Sequence, residues 1–163
     1  VYIRYQSIVF AEAGVDVARE KLLDILKKAR QLSEGMTFAL FDDVLPTLKK
    51  LKERKLILGL ITNATRNMIS VYRELGLEPY LDFVVTSEEA GADKPQPPIF
   101  LAALERARVN ASEAVHVGDQ YQLDIAGARG VGISPILIDR YNLSSNVRDC
   151  PRIQGLPELL KYV

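Results

Sequence analysis

The stretch Ala114-Val115-His116-Val117-Gly118-Asp119-Gln120-Tyr121-Gln122-Leu123-Asp124 decides how the chain is read. An apolar, β-branched run ends at Gly118-Asp119, and a second Asp follows five residues later. A short run of this kind, bounded by turn residues, predicts a strand buried in a sheet. Gly118 lets the backbone turn sharply and approach a ligand closely. Asp119 then falls at the carboxyl end of the strand, the edge where open α/β sheets bind ligands, and Asp124 falls in the first turn of the next helix. Two carboxylates would face one crevice. So small a set of oxygen ligands suits Mg²⁺, which keeps several waters and shares its shell with substrate phosphate.

Working outward, residues 41 onward alternate helices with short apolar strands, the pattern of a parallel sheet covered on both faces. Val44, Leu48 and Leu51 mark a helix after Asp43, and Leu56 to Ile61 a strand that ends at Thr62-Asn63. Met68, Val71 and Leu75 line a helix stopped by Gly76, and Phe83 to Thr86 form the next strand. A loop from Glu88 to Pro98 carries Lys94, and Pro97 and Pro98 lead in a helix over Ile99 to Ala107, prolines being favoured in a first turn. After Asp124 the small residues Ala126, Gly127 and Ala128 let a helix lie close to the sheet. Ile136 to Ile138 read as a strand, Asn142 to Arg152 as irregular, and Leu156 to Tyr162 as a short helix.

The first 40 residues have a different rhythm. Tyr2, Tyr5, Val9 and Ala13 recur at helical spacing before a capping Gly14. Asp16 is placed as the N-cap of a second helix whose Ala18, Leu22, Ile25, Ala29 and Leu32 share a face. Together they predict a helical hairpin with no obvious chemistry of its own.

Composition narrows the function classes. The 163 residues suffice for one substantial core with a small appendage, and 21 basic residues balance 21 acidic ones. With no net field to draw it to polyanions, nucleic acid and anionic membrane are not expected partners. The single cysteine, Cys150, allows no internal disulfide, and nothing beside it suggests a lowered thiol pKa. No apolar run approaches the roughly 18 residues of a membrane span, and Val1-Tyr2-Ile3-Arg4-Tyr5 lacks the layout of a signal peptide. A soluble cytoplasmic protein is predicted; its oligomeric state leaves no trace in the sequence.

Thr62, Lys94, Asp119 and Asp124 each follow a predicted strand, so a doubly wound sheet would bring all four to one edge. With these residues the chain resembles the haloacid dehalogenase-like (HAD) hydrolase superfamily over nearly its whole length. Leu60-Ile61-Thr62-Asn63 is similar to the family's second motif, Gly91-Ala92-Asp93-Lys94-Pro95 to the third, and Gly118-Asp119 through Asp124 to the fourth. The resemblance implies a HAD-like α/β core over 41–163 and a helical cap segment over 1–40. It implies that Thr62 and the amides from Asn63 onward hold a transferring phosphoryl group, and that Lys94 neutralises charge on phosphate and nucleophile. It also implies that Asp119 binds Mg²⁺ while Asp124 binds it or orients Lys94. The substrate would be a small phosphorylated metabolite, hydrolysed through an aspartyl-phosphate.

One element of that pattern is missing. The family's nucleophile is the first Asp of an Asp-x-Asp motif on a central strand, yet no two Asp residues here are separated by one position. No strand is predicted before the front helices, so the sheet lacks the element on which it should be centred. Three accounts fit: the sequence starts partway through a longer protein, the product is truncated and inactive, or Asp42 of Phe38-Ala39-Leu40-Phe41-Asp42-Asp43 substitutes. The first is preferred, because a parallel sheet without its central strand would expose apolar faces and unpaired backbone groups, at about 1–3 kcal/mol for each buried one. Against Asp42, adjacent carboxylates on a strand point to opposite faces and a linker from cap to core is expected at this point. Residues upstream of Val1, or a strand from another chain, are expected to complete the sheet, and without them the chain is expected to be inactive.

Rival readings are a metal-independent haloacid dehalogenase and a non-catalytic HAD-fold binding protein. His116, the only histidine, falls on the strand face opposite Val115 and Val117 and reads as a packed, hydrogen-bonded residue. The basic run Lys49, Lys50, Lys52, Arg54 and Lys55 reads as a solvated helix face.

Overall fold

The computed structural model describes residues 18–33, 38–65 and 68–163. The helix expected over residues 1–13, its Gly14 cap and the Asp16 N-cap lie outside the described residues. The chain divides into two compact units, Val1–Phe38 and Ala39–Val163.

In the first unit, α1 (Arg19–Ser33) carries Leu22, which is buried, on the face the periodicity marks. Its Asp24–Lys28 ion pair at 2.9 Å is largely exposed. Such a pair contributes a few tenths of a kcal/mol at most, about 0.3–0.5.

The second unit alternates as expected. Its elements are α2 (Val44–Glu53), β1 (Gly59–Thr62), α3 (Met68–Glu74), β2 (Phe83–Thr86), α4 (Ser87–Ala90), α5 (Pro97–Ala107) and β3 (Val115–Gly118). A π-helical turn, Tyr121–Ile125, then runs into α6 (Ala126–Gly130), followed by β4 (Ser134–Ile138), β5 (Arg152–Ile153) and a 3₁₀ turn, Leu156–Lys161. Every ladder is parallel. Thr62 pairs with Thr86, Gly118 with Leu137, and Leu137 with Arg152, so each sheet has its strand ends in register. Parallel strands linked by helices are the α/β architecture that the alternation predicted.

Two apolar clusters hold these layers. Val85 of β2 packs with Ile99, Phe100 and Ala103 of α5 and Ala128 of α6. Leu51 of α2 packs with Ile136 of β4, Ile153 of β5 and Leu159 of the final turn. The second cluster takes in Val117, whereas the His116 ring meets Phe100 of the first edge-on, with centroids 5.3 Å apart. Neighbouring residues of β3 therefore serve opposite faces, as the period of two requires.

Three details differ from the sequence reading. The strand expected from Leu56 starts only at Gly59, because Leu58 N–H donates to the Asp82 carboxylate at 2.7 Å and Lys52 Nζ donates to Leu56 O at 3.3 Å. Side chains there take the place of a ladder. The loop expected from Glu88 opens instead with α4, since the Thr86 hydroxyl accepts the Glu89 N–H at 3.2 Å as an N-cap and Gly91, at φ +68°, ends the turn. Within the stretch read as irregular, Pro151 O and Ile153 O accept from Leu137 and Asp139, which recruits Arg152–Ile153 to the β4 edge. Two residues carry no periodicity.

The basic run on and just after α2 is a solvated face as read, with Lys49, Lys50, Arg54 and Lys55 exposed, and two of its members also make contacts. Lys52 pairs with Asp82 at 2.7 Å, and Arg54 donates to Leu160 O at 2.9 Å.

The described strands form two sheets, β1-β2 and β3-β4-β5. Among the described residues neither β1 nor β3 has a partner on its second edge. Ile57, Leu58 and Gly59 on one side and Val115, His116 and Val117 on the other line a cavity of about 390 Å³.

Candidate active site

The chain reverses from strand to helix or loop at Thr62-Asn63 after β1, at Gly118-Asp119 after β3, and in the loop that follows α4. These three turns meet through hydrogen bonds. The Asn63 side chain reads the peptide of Lys94 on both sides: Lys94 N–H donates to Oδ1 at 2.6 Å, and Nδ2 donates to Lys94 O at 3.0 Å. An amide clamped against a peptide in this way fixes the backbone of Lys94 to the carboxyl end of β1. The Lys94-Pro95 bond that follows is cis.

The lysine head is fixed separately. Lys94 Nζ donates to Asp124 Oδ1 at 2.6 Å, with 14% of the lysine side chain and 3% of the aspartate exposed. Gln120 N–H donates to Asp124 Oδ2 at 3.0 Å, and His116 Nε2 lies 3.2 Å from Oδ1. A carboxylate only accepts, so the imidazole donates here. Burial would raise the Asp124 pKa, but the His116 hydrogen bond, the Lys94 charge and the Gln120 amide outweigh it and bring the group down to about 2. It is ionised at neutral pH.

Gly118 makes room for this carboxylate. A Cβ at that position would sit 2.2 Å from both Cβ and Cγ of Asp124. Gly127 serves the loop in a similar way, since a Cβ there would meet Phe100 at 2.6 Å and the Pro95 Cα at 3.0 Å. Gly127 thus admits α5 and the Lys94 loop, while Ala128 packs in one cluster with Val85 of β2 and so lies against the sheet as its small size suggested.

Asp119 is exposed just beyond β3. Among the described residues no group of three or more His, Cys, Asp or Glu side chains is placed to hold a metal. Asp124 has three donors on its two oxygens, which leaves little of its lone-pair capacity. Asp119 could supply one oxygen ligand to a cation whose other ligands came from water and phosphate, a sharing of the shell that Mg²⁺ tolerates.

The structure therefore joins Asn63, Lys94 and Asp124 directly, with Thr62 and Asp119 as chain neighbours at the ends of β1 and β3. Two contacts escaped the sequence reading. Asn63 holds Lys94 through its side chain, and the packed His116 touches a residue of the site. Alternation carried the second signal, because it puts His116 on the same face as Gly118, the face that Asp124 covers.

Asp43 belongs elsewhere. Arg140 donates to both of its oxygens at 2.9 Å, and Leu156 N–H adds a third bond at 2.9 Å. The Arg140 hydrogen bond chiefly holds its carboxyl below the usual range, and the guanidinium stacks over Phe41 at 4.0 Å. A carboxylate forked to Arg140 and tied to the Leu156 amide braces the chain segments it joins. Asp42 beside it is exposed. Burial, with the Asp149 charge, pushes the Cys150 thiol up, away from reactivity.

Residues 6–132 match the haloacid dehalogenase-like hydrolase family. The chain is 39% identical over 152 residues to haloacid dehalogenase-like hydrolase domain-containing protein 3 of Mus musculus, covering 92% of this chain and 61% of that protein. It is 41% identical over 102 residues to a ribulose-1,5-bisphosphate 5-phosphatase of Halopiger xanaduensis, covering 62% and 43%. Among solved structures, an HAD phosphatase from Thermococcus onnurineus superposes with a TM-score of 0.72 at 31% identity, covering 96% of this chain and 69% of that one. The chain spans between 50% and 61% of the first four curated relatives.

Proposed function

The chain belongs to the haloacid dehalogenase-like hydrolases, and from that premise we propose that it carries the phosphate-handling half of a Mg²⁺-dependent phosphomonoesterase. The substrate class is a small phosphorylated metabolite. The observation that supports this most directly is the Lys94 ammonium, anchored at 2.6 Å to a carboxylate that is ionised at neutral pH. Hydrolysis of a phosphomonoester needs fixed positive charge where negative charge accumulates, and a preorganised ammonium meets that need without reorganising.

In this reading the Thr62 hydroxyl and the amides from Asn63 onward hold the phosphoryl oxygens, and Lys94 balances the charge shared by phosphate and nucleophile. Asp119 is the direct cation ligand, and Asp124 acts through Lys94. Bound Mg²⁺ would polarise the phosphoryl oxygens. The nucleophile is an Asp on a strand that the described residues do not supply, and it forms the aspartyl-phosphate. The cavity between β1 and β3, each with one edge that has no strand partner among the described residues, favours that assignment. Residues 1–40 are read as the cap segment that selects the substrate.

Relatives named as phosphatases favour phosphate over a carbon–halogen bond. So does Asp119, since dehalogenation through an Asp nucleophile needs no metal. The test is turnover of p-nitrophenyl phosphate by the full-length polypeptide with Mg²⁺ and again with EDTA. Chelator-sensitive phosphate release is expected, with none from residues 1–163 alone. Chelator-resistant halide release from 2-chloropropionate would replace the proposal with a dehalogenase. Phosphate binding without turnover would replace it with a binding protein.

A further inference from the structure

We propose that His116 is a positioning residue of this site, which sets where the Lys94 ammonium stands by holding Asp124. The inference rests on the reading of Lys94 given above and adds to it the residue that controls its geometry.

Lys94 is anchored by its backbone and by its head, and the two anchors differ in kind. Asn63 fixes the peptide, yet four methylenes separate that peptide from Nζ, and a lysine head on such a stem goes where its partner is. The partner is Asp124 Oδ1. What fixes Oδ1 therefore fixes the ammonium.

Three features do so. Gln120 N–H holds the opposite oxygen at 3.0 Å, the missing side chain of Gly118 gives the carboxylate its place, and His116 Nε2 approaches Oδ1 itself at 3.2 Å. Of these, His116 alone addresses the oxygen that Lys94 uses. Its ring is in turn pinned, edge-on at 83° to Phe100, which is fully buried in the core cluster of α5. A continuous path of contact thus runs from Phe100 through His116 and Asp124 to the ammonium. Rigid packing at one end becomes a defined position for a flexible cation at the other. His116 itself stands one residue away from the ammonium and acts only through Asp124.

The side-chain length required is specific. An imidazole donates from Nε2 in its charged form and in one neutral tautomer. Glutamine places an amide NH₂ at nearly the same reach, while leucine keeps the apolar packing on Phe100 and removes the donor.

The experiment uses the full-length polypeptide with p-nitrophenyl phosphate and Mg²⁺. H116L is expected to lower kcat by about 10-fold or more with a smaller change in KM, since displacement of a charge-stabilising group by a fraction of an ångström is costly. H116Q should recover most of that loss. The double variant H116L/D124N should be no slower than D124N, because the two residues act in series. The proposal is overturned if H116L turns over like the parent, if H116Q is as slow as H116L at equal melting temperature, or if the H116L and D124N losses multiply. A parent protein that releases no phosphate would sink the phosphatase reading alone. Positioning is then read without substrate, from the ¹⁵N shifts of the His116 ring. They should move in D124N and K94M, and unchanged shifts in both would overturn the proposal even where H116L fails to fold.

Discussion

Two carboxylate–cation pairs in the second unit look alike on paper and differ in what they leave over. Arg140 directs both arms of its guanidinium at Asp43, a bidentate pair whose side chains are 19% and 23% exposed. Leu156 N–H takes up further capacity of the same carboxylate, and Phe41 covers the face of the guanidinium. That fork serves the fold. Lys94 makes one hydrogen bond from Nζ to a protein group among the described residues, so two of its three protons remain for a ligand. The lesson is that a held cation signals function where its holder restrains it without saturating it.

The widest separation between the pairs should come from removing the cations. K94M in the full-length polypeptide is expected to lower phosphate release by about 1,000-fold or more, as loss of a charge-stabilising donor does. R140M should leave kcat within about threefold while lowering stability by roughly 1–3 kcal/mol, the cost of a partly buried carboxylate losing its partner. Steady-state kinetics and urea titration on both variants check this. Equal kinetic losses would erase the distinction.

Next come the glycines beside each carboxylate. G118A puts a Cβ into Asp124 at 2.2 Å, whereas a Cβ at Gly155 would stand 3.3 Å from Asp43 Oδ2. Overpacking of the first kind costs typically about 1–3 kcal/mol, and by displacing Asp124 it should slow turnover by about 100-fold. G155A should change both by far less. The ratio of the two effects on kcat is the measurement.

A pH titration of stability sharpens the same contrast. Asp124 is brought down to about 2 in the folded chain, from an ordinary 3.8. The folded state thus resists protonation, and the stability this gives is fully present above about pH 4 and lost as pH falls toward 2. The amount is about 2 kcal/mol. Urea midpoints between pH 5 and 2 should fall, and D124N should flatten part of that fall. Asp43 is shifted in the same direction, chiefly by its bond to Arg140, so D43N should flatten another part.

The smallest effect is expected at the ring. F41A removes a cation–π contact at a half-exposed site, for about 0.5–1 kcal/mol, and should leave kcat unchanged.

Much of this arrangement was legible in the chain. Phe83 to Thr86 is a strand as read, and Val44 to Leu51 and Ile99 to Ala107 are helical, because each is long or apolar enough to show its period. Gly118-Asp119 announced the edge at which Lys94 and Asp124 meet. What stayed hidden depends on partners distant in sequence. Asp82 takes the place of a ladder at Leu58, and β4 recruits Arg152–Ile153. Neither leaves a mark within the residues concerned. The bond between His116 and Asp124 lay between. Its face was readable from alternation, but its partner depended on how the turn Tyr121–Ile125 winds. Asp43 shows the opposite case, a carboxylate conspicuous beside Asp42 whose role was set by Arg140, 97 positions away.

The cavity between β1 and β3 has a practical side. Among the described residues β1 and β3 each have one edge without a strand partner, beside an apolar slot, and such edges are templates for pairing with other polypeptides. Residues 1–163 handled alone should cluster as their concentration rises, and a short hydrophobic peptide able to lie along either edge should keep them dispersed.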